Sequence, residues 1–350
     1  MKRMLRVALV GCGRISKNHI ETLKALEAEG RAKLVACCDS IPDRAKAAAE
    51  LAGGKCKPFK NYPEMLSSAE CELVSICTPS GLHPEHVIQA AEAGRHALSE
   101  KPSGTKLSDV DRAIGACDRA GVKYFVVKQN RFNKTIRLLK KALDLGRFGH
   151  INMLLSNVLW TRPQDYYDQA KWRGTWEFDG GALCNQAAHY VDLMQWFGGA
   201  VESVQAFSAT LGRHIEAEDT IVVNLRYRSG ALGSINVTTL TFPKNLEGSL
   251  TILGESGTAR IGGVALNKII EWNFDTPHPM DEEIKEADTN PKSVYGFGHL
   301  DFYRHCLDVL ENGEDELVSG REGRKTVEII EAAYQSALSG GQVRMCAMPR

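Results

Sequence analysis

From Leu5 to Val127 short apolar runs alternate with helical patterns, the arrangement of parallel strands joined by helices and covered on both faces. The runs predict strands at Val7 to Val10, Leu34 to Cys38, Leu73 to Cys77, His96 to Ser99 and Tyr124 to Val127. Between them the clearest helices are Pro84 to Ala93 and Ser108 to Ala120, the latter with Ser108 as N-cap. After Arg131 the pattern changes. An amphipathic helix from Lys134 to Leu145 stops at Gly146, a strand-like run covers Ile151 to Trp160, and a helix is expected from about Ala182 to Trp196. Runs at 204–211, 220–227, 231–241, 249–253 and 259–261 then read as an antiparallel meander. A polar loop from Asp275 to Ser293 precedes two closing helices, about Leu300 to Leu310 and Glu322 to Leu338. The expected fold class is α/β, with a doubly wound domain over 1–129 and a second α+β domain over 130–350, whose closing helices are free to pack back on the first.

At 350 residues the chain has length for two domains, each with its own core. Its 43 Lys and Arg balance 43 Asp and Glu, so no global field recruits nucleic acid or an acidic membrane, and an anion must be bound locally. No apolar run approaches the roughly 20 residues of a membrane span. The apolar stretch behind the basic start, Val7 to Val10, is short and broken by Gly11, unlike a signal peptide. Ten cysteines without a CxxC pair read as reduced thiols of a cytoplasmic protein, with no metal site expected.

Chemistry concentrates at predicted strand ends. Gly11-Cys12-Gly13-Arg14-Ile15-Ser16 follows the first strand and opens a helix. Two glycines there allow a tight turn and let a pyrophosphate approach the helix N-terminus, although a bland turn would look similar. Asp39 ends the second strand, where a carboxylate accepts from an adenosine ribose and repels a ribose phosphate, favouring NAD over NADP. It could equally cap the helix ahead of Pro42, and Arg44 leaves dual specificity open. Thr78-Pro79-Ser80-Gly81-Leu82-His83 and Glu100-Lys101-Pro102 lie at further strand ends, on the ligand-binding edge of such a sheet. His83 either starts a helix or contacts the cofactor. Lys101 is a solvated charge or, beside a nicotinamide and partly buried, a proton-shuttling amine.

The densest constellation is Asp179-Gly180-Gly181-Ala182-Leu183-Cys184-Asn185-Gln186-Ala187-Ala188-His189-Tyr190-Val191-Asp192. On one continuous helix Asn185, His189 and Asp192 would share a face. A carboxylate or amide would then fix the imidazole tautomer for work near neutral pH. Upstream, Trp160 to Trp176 gathers Arg162, Lys171 and Arg173 with Tyr166, Tyr167 and Trp172, aromatic faces and guanidinium forks suited to a base or sugar carrying phosphates or a carboxylate. The alternative is an aromatic packing or oligomer loop. Arg131, Asn157, Arg213 and His214 are weaker candidates for the same ligand.

Taken in order, the Gly-x-Gly start, Thr-Pro-Ser-Gly-Leu-His, Glu-Lys-Pro and Gly-Gly-x-Leu-x-Asn-x-x-x-His-x-x-Asp make the chain resemble the Gfo/Idh/MocA oxidoreductases over essentially its whole length. The resemblance implies a Rossmann domain followed by a domain on an open, mostly antiparallel sheet, NAD or NADP as hydride carrier, and sugars or cyclitols as substrates. It assigns Lys101 and His189 as the catalytic pair, with Asn185 where the family commonly has Asp and with Asp192 as support. Gly11, Gly13, Arg14, Ile15, Asp39, Thr78, Pro79, His83, Glu100, Lys101 and Gln129 become the expected cofactor contacts. Arg131, Asn157, Arg162, Tyr166, Trp172, Arg173, Asn185 and His189 become the expected substrate contacts.

Gln129-Asn130-Arg131-Phe132-Asn133, Trp172-Arg173-Gly174-Thr175-Trp176, Gly262 to Lys268 and Tyr295-Gly296-Phe297-Gly298-His299 resemble one branch of the family more closely. That branch oxidises the 3-hydroxyl of UDP-N-acetylglucosaminuronic acid on the way to diaminated uronic acids of bacterial surface polysaccharides, and Asn at position 185 is expected in it. The resemblance implies dimers or tetramers built through the second-domain sheet. The rival expectations are a dehydrogenase of a free sugar or inositol, and a cofactor-binding sensor without turnover.

Overall fold

A computed structural model of the chain describes residues 3–289, 296–313 and 317–345. Tyr295, quoted above, lies outside the described residues. The chain forms two compact units, Met1–Lys128 with His299–Arg324, and Gln129–Gly298 with Lys325–Arg350. The segment His299–Arg324 belongs to the first unit.

In the first unit, among the described residues, six parallel strands form one sheet: β1 (Leu5–Val10), β2 (Ala32–Cys38), β3 (Lys57–Phe59), β4 (Leu73–Ile76), β5 (His96–Ser99) and β6 (Tyr124–Val126). Their order is β3-β2-β1-β4-β5-β6, the doubly wound order with its switch point between β1 and β4. Apolar residues are continuous because helices cover both faces: Val7, Leu9, Leu73, Val74, Ala97 and Leu98 are all fully buried. Strand β3 was not predicted, since Lys57-Pro58-Phe59 is short and half polar. The helix Leu107–Ala120 takes Lys106 as its N-cap, so Ser108 stands inside the first turn and does not cap it. Ser319 bridges to Phe125, and Val126 donates to the Val318 carbonyl at 2.8 Å, tying the returning segment to the sheet edge.

In the second unit, among the described residues, eight strands form an open sheet in the order β13-β12-β11-β7-β10-β9-β8-β14. They are β7 (Ile151–Leu159), β8 (Val201–Ala209), β9 (Thr220–Tyr227), β10 (Leu232–Thr238), β11 (Glu247–Gly254), β12 (Gly257–Gly262), β13 (Lys268–Phe274) and β14 (Val343–Arg344). This corrects the meander: β7 lies between β10 and β11 and runs parallel to β10. Apolar alternation marks a strand without naming its neighbours, which are chosen by long-range pairing. One face carries Leu154, Val158, Val223, Ile235 and Ile252 and packs on Val191, Leu193 and Met194 of the helix Ala188–Gly198. The opposite face leaves Phe207, Val222, Leu232 and Ile270 exposed.

The expected helix from Ala182 to Trp196 is two pieces, a wide turn Ala182–Gln186 closed by an i to i+5 hydrogen bond (Ala187 N–H to Ala182 O, 3.0 Å) and the helix Ala188–Gly198. Gly180 and Gly181 enter it with φ 79° and 84°, conformations open to glycine. The extra residue in the turn breaks the single continuous α-helix that the spacing of Asn185, His189 and Asp192 assumed. A short helix, Ile284–Ala287, sits inside the expected loop from Asp275.

Candidate active site

In the first unit, the β1 loop is built for close approach of a ligand backbone. A Cβ on Gly11 (φ 89°) would lie 2.6–2.7 Å from backbone atoms of Cys77 and Thr78, whereas one on Gly13 would meet nothing within 4 Å. Open space at Gly13 stands ahead of the helix Ser16–Ala28, whose N-cap is Ile15, and Arg14 beside it is exposed. Amide N–H groups at such a helix start suit a pyrophosphate. Asp39 receives the Cys12 N–H and the Ile41 N–H, each at 2.8 Å, so its carboxylate braces the glycine loop from the end of β2. Together these residues fit a dinucleotide.

His83 opens the helix His83–Glu92 and is buried, its ring nitrogens each 2.7 Å from the carbonyls of Thr78 and Pro102. It braces two strand-end loops, the helix-start alternative in the sequence. Thr78 Oγ1 lies 2.9 Å from His86 Nδ1, and both Thr78 and Pro79 remain partly exposed. Glu100 faces inward. One carboxylate oxygen lies 2.9 Å from His19 Nε2 and 4.0 Å from His299 Nε2, and the other accepts the Lys101 backbone N–H at 3.0 Å. Tyr303 and Ser75 hydroxyls lie 2.7 and 3.1 Å from His19 Nδ1. Burial alone pushes the Glu100 carboxyl up, but the hydrogen bond with His19 and the nearby His299 ring outweigh it and hold it well below the ordinary range. Glu100 thereby holds the backbone of Lys101, which is itself partly exposed. His19, Glu100 and His299 also have ligand atoms within 4.8 Å of one another, a spacing open to a metal ion; cysteine spacing could not have shown it.

In the second unit, Asn185 and His189 are partly exposed among buried neighbours. Asn185 donates through Nδ2 to Asp179 Oδ1, and Asp179 Oδ2 accepts the Gly174 N–H at 2.7 Å. Asp179 therefore supplies the carboxylate that the motif lacks at 185. Gln186 links turn and loop: its Nε2 donates to Asn185 Oδ1 and Tyr166 Oη, both at 3.1 Å, and its Oε1 accepts from Arg162 Nε at 2.8 Å. Arg173 stacks over Tyr166 at 4.1 Å and Trp172 at 4.7 Å, while Arg162 lies over Trp160 at 5.0 Å and Tyr166 at 5.4 Å. Arg173 Nε is buried without a hydrogen-bond partner.

The chain matches the profile of the oxidoreductase family's NAD-binding Rossmann fold over residues 5–128 and that of its C-terminal alpha/beta domain over 140–345. It belongs to the Gfo/Idh/MocA oxidoreductase family. Among solved structures it is similar to the WlbA dehydrogenase of Bordetella pertussis in complex with NADH and UDP-GlcNAcA, with 52% identity, TM-score 0.95 and 99% of each chain covered. The WlbA dehydrogenase of Chromobacterium violaceum, in complex with the same two molecules, shares 50% identity at TM-score 0.93, with 100% of this chain and 98% of that one covered. Among curated proteins, a myo-inositol 2-dehydrogenase of Thermotoga maritima is 27% identical over 95% of this chain and 96% of its own length. This Gfo/Idh/MocA chain is an NAD-dependent dehydrogenase.

Several of the expected contact residues have protein partners of their own. Arg131 forms a buried two-pronged pair with Asp192, Nε to Oδ2 at 2.9 Å and Nη2 to Oδ1 at 2.7 Å, and stacks over Trp196 at 4.7 Å. The pair holds the helix that carries His189, and Asp192 neutralises Arg131. Asn157 lies on the sheet face away from the core, accepting from Asn236 at 3.0 Å and donating to Glu247 at 3.1 Å; strand alternation puts it opposite Leu154 and Val158. Gln129 is buried, its Oε1 without a hydrogen-bond partner. Arg213 supports the loop by donating to the Arg162 carbonyl at 2.6 Å. Asp179 and Gln186 stood inside the quoted motif without a role. His19 and Tyr303, far apart in sequence, carried no signal.

Proposed function

We propose that this dehydrogenase oxidises the 3-hydroxyl of UDP-N-acetylglucosaminuronic acid to the 3-keto sugar, as a step toward diaminated uronic acids of a bacterial surface polysaccharide. The observation that carries the reading is the Arg162, Tyr166, Trp172 and Arg173 stack joined through Gln186 to Asn185. Two guanidinium groups held on aromatic faces suit a ligand that offers ring surface and several anionic oxygens. Likeness to two proteins solved with UDP-GlcNAcA, at 50% and 52% identity, supports the same substrate class.

NAD, when bound, supplies the hydride acceptor; Gly11, Gly13, Ile15 and Asp39 would hold it. An alcohol is a poor acid, so its carbon gives up hydride readily only as the hydroxyl proton is taken. Lys101 and His189 serve that proton transfer. Glu100 fixes the Lys101 backbone, while Asp179 and Gln186 fix Asn185. Lys101→Ala and His189→Ala are each expected to lower turnover at least about 100-fold with NAD affinity largely unchanged; wild-type turnover in either would remove that residue from the mechanism. The exposed Phe207, Val222, Leu232 and Ile270 on the open sheet face support a homodimer or homotetramer built there.

The deciding experiment is mass spectrometry of UDP-N-acetylglucosaminuronic acid after incubation with stoichiometric protein and NAD. Loss of two hydrogens, absent in Lys101→Ala, is the expected result. No loss with NAD saturated would transfer the reading to a free sugar or inositol.

A further inference from the structure

Glu218, just ahead of β9, is buried to 2% exposure. Its Oε1 accepts the Leu183 N–H at 2.8 Å, and its backbone carbonyl accepts the Ala182 N–H at 3.1 Å. Two leading amides of the turn Ala182–Gln186 therefore end on this one residue. Gly181 makes the approach feasible: a Cβ there would run into the Glu218 carboxyl. The second carboxyl oxygen, Oε2, is buried with no hydrogen-bond partner.

The protons can be counted. Tyr334 Oη has one to give. It lies against the Gly180 carbonyl, 3.0 Å from Glu218 Oε1 and 3.3 Å from the Cys184 N–H, which it accepts. With the tyrosine proton on the Gly180 carbonyl, the contact to Glu218 is a hydrogen bond only when the carboxyl brings its own proton. The titratable groups facing Glu218 are Asp179 and Tyr334, with Cys184 beyond the tyrosine. Burial is the main force pushing the Glu218 carboxyl up to about 8; the donors from Leu183 and Tyr334 oppose it and Asp179 adds to it.

We propose that Glu218 is a protonated carboxyl at neutral pH that latches the turn carrying Asn185, so that its ionisation loosens the turn in alkaline solution. An ionised Glu218 draws the Tyr334 proton away from the Gly180 carbonyl and places a second negative charge toward Asp179, the group that holds Asn185. Both contacts that set the turn change together. Glu218 acts through Asn185 and is a positioning residue. Its effect on turnover rests on the function proposed above, whereas its protonation state does not.

Two measurements on the intact chain test this. Infrared difference spectra of wild type against Glu218→Gln should show a protonated-carboxyl band at pH 6.5 that disappears with a midpoint of about 8; absence of the band at pH 6.5 overturns the proposal. In turnover of UDP-N-acetylglucosaminuronic acid, the neutral Glu218→Gln should stay within about 10-fold of wild type at pH 7 and lack the alkaline fall, while Glu218→Ala falls about 10-fold further. Equal losses in the two variants, or an unchanged alkaline fall in Glu218→Gln, overturn the latch. A wild type without turnover on this sugar refutes the substrate reading and leaves the infrared result to judge Glu218.

Discussion

Glu100 in the first unit and Glu218 in the second are both deeply buried glutamates whose neighbours drive them to opposite charge states. Around Glu100 stand two hydrogen-bonding nitrogens, His19 Nε2 and the Lys101 backbone N–H, with the His299 ring 4.0 Å away. Around Glu218 stand one amide, one shared hydroxyl and the like-charged Asp179. Burial penalises the charged form in both places. Donor number and the sign of the nearest charge then decide, so Glu100 is held well below the ordinary carboxylate range and Glu218 is raised to about 8.

The largest effect that separates the two is expected from Glu100→Ala. It leaves His19 Nε2 and the Lys101 N–H without their acceptor, a loss of about 3 kcal/mol in urea unfolding; a loss below 1 kcal/mol would mean the network is replaceable by water. The pH dependence should differ in sign. Glu100, with its folded value depressed, contributes stability that is present above its unfolded value of about 4.5 and is lost as pH falls through the folded value. Glu218, with its folded value raised, is most favourable below about 4.5 and loses stability as pH rises toward about 8, on the order of 1 kcal/mol per pH unit. Urea midpoints of Glu218→Gln should therefore gain on wild type between pH 6 and 8, and parallel curves would show that Glu218 is ionised throughout. The smallest effect is Ser75→Ala, about 1 kcal/mol, since Tyr303 still reaches His19 Nδ1 at 2.7 Å when the serine hydroxyl is gone. A loss as large as that of Glu100→Ala would make Ser75 the principal donor.

The two units also differ in how openly their residues announce them. Gly11, Gly13, Asp39 and Lys101 sit at the carboxyl ends of parallel strands, where apolar runs locate the strand and its last residue locates the ligand edge. The order β3-β2-β1-β4-β5-β6 is a doubly wound one, the class that alternating strand and helix patterns lead to. In the second unit the motif from Asp179 to Asp192 was legible as a cluster, but its geometry was not. A continuous helix was expected, and a wide turn followed by a separate helix was found. Helical spacing tied His189 to Asn185 and Asp192; folding brings Asp179 to Asn185 and Arg131 to Asp192.

What the sequence determined by itself was the class of each element, the dinucleotide loop and the positions where chemistry gathers, because strand and helix periods and glycine turns are properties of neighbours along the chain. Only tertiary structure decided which donors surround each buried carboxyl. His19 reaches the first from near one end of the chain and is itself held by Tyr303 from near the other, and Leu183 and Tyr334 reach the second across more than a hundred residues of sequence between them. The charge on a buried acid depends on those few ångströms of surroundings, and no local pattern encodes them.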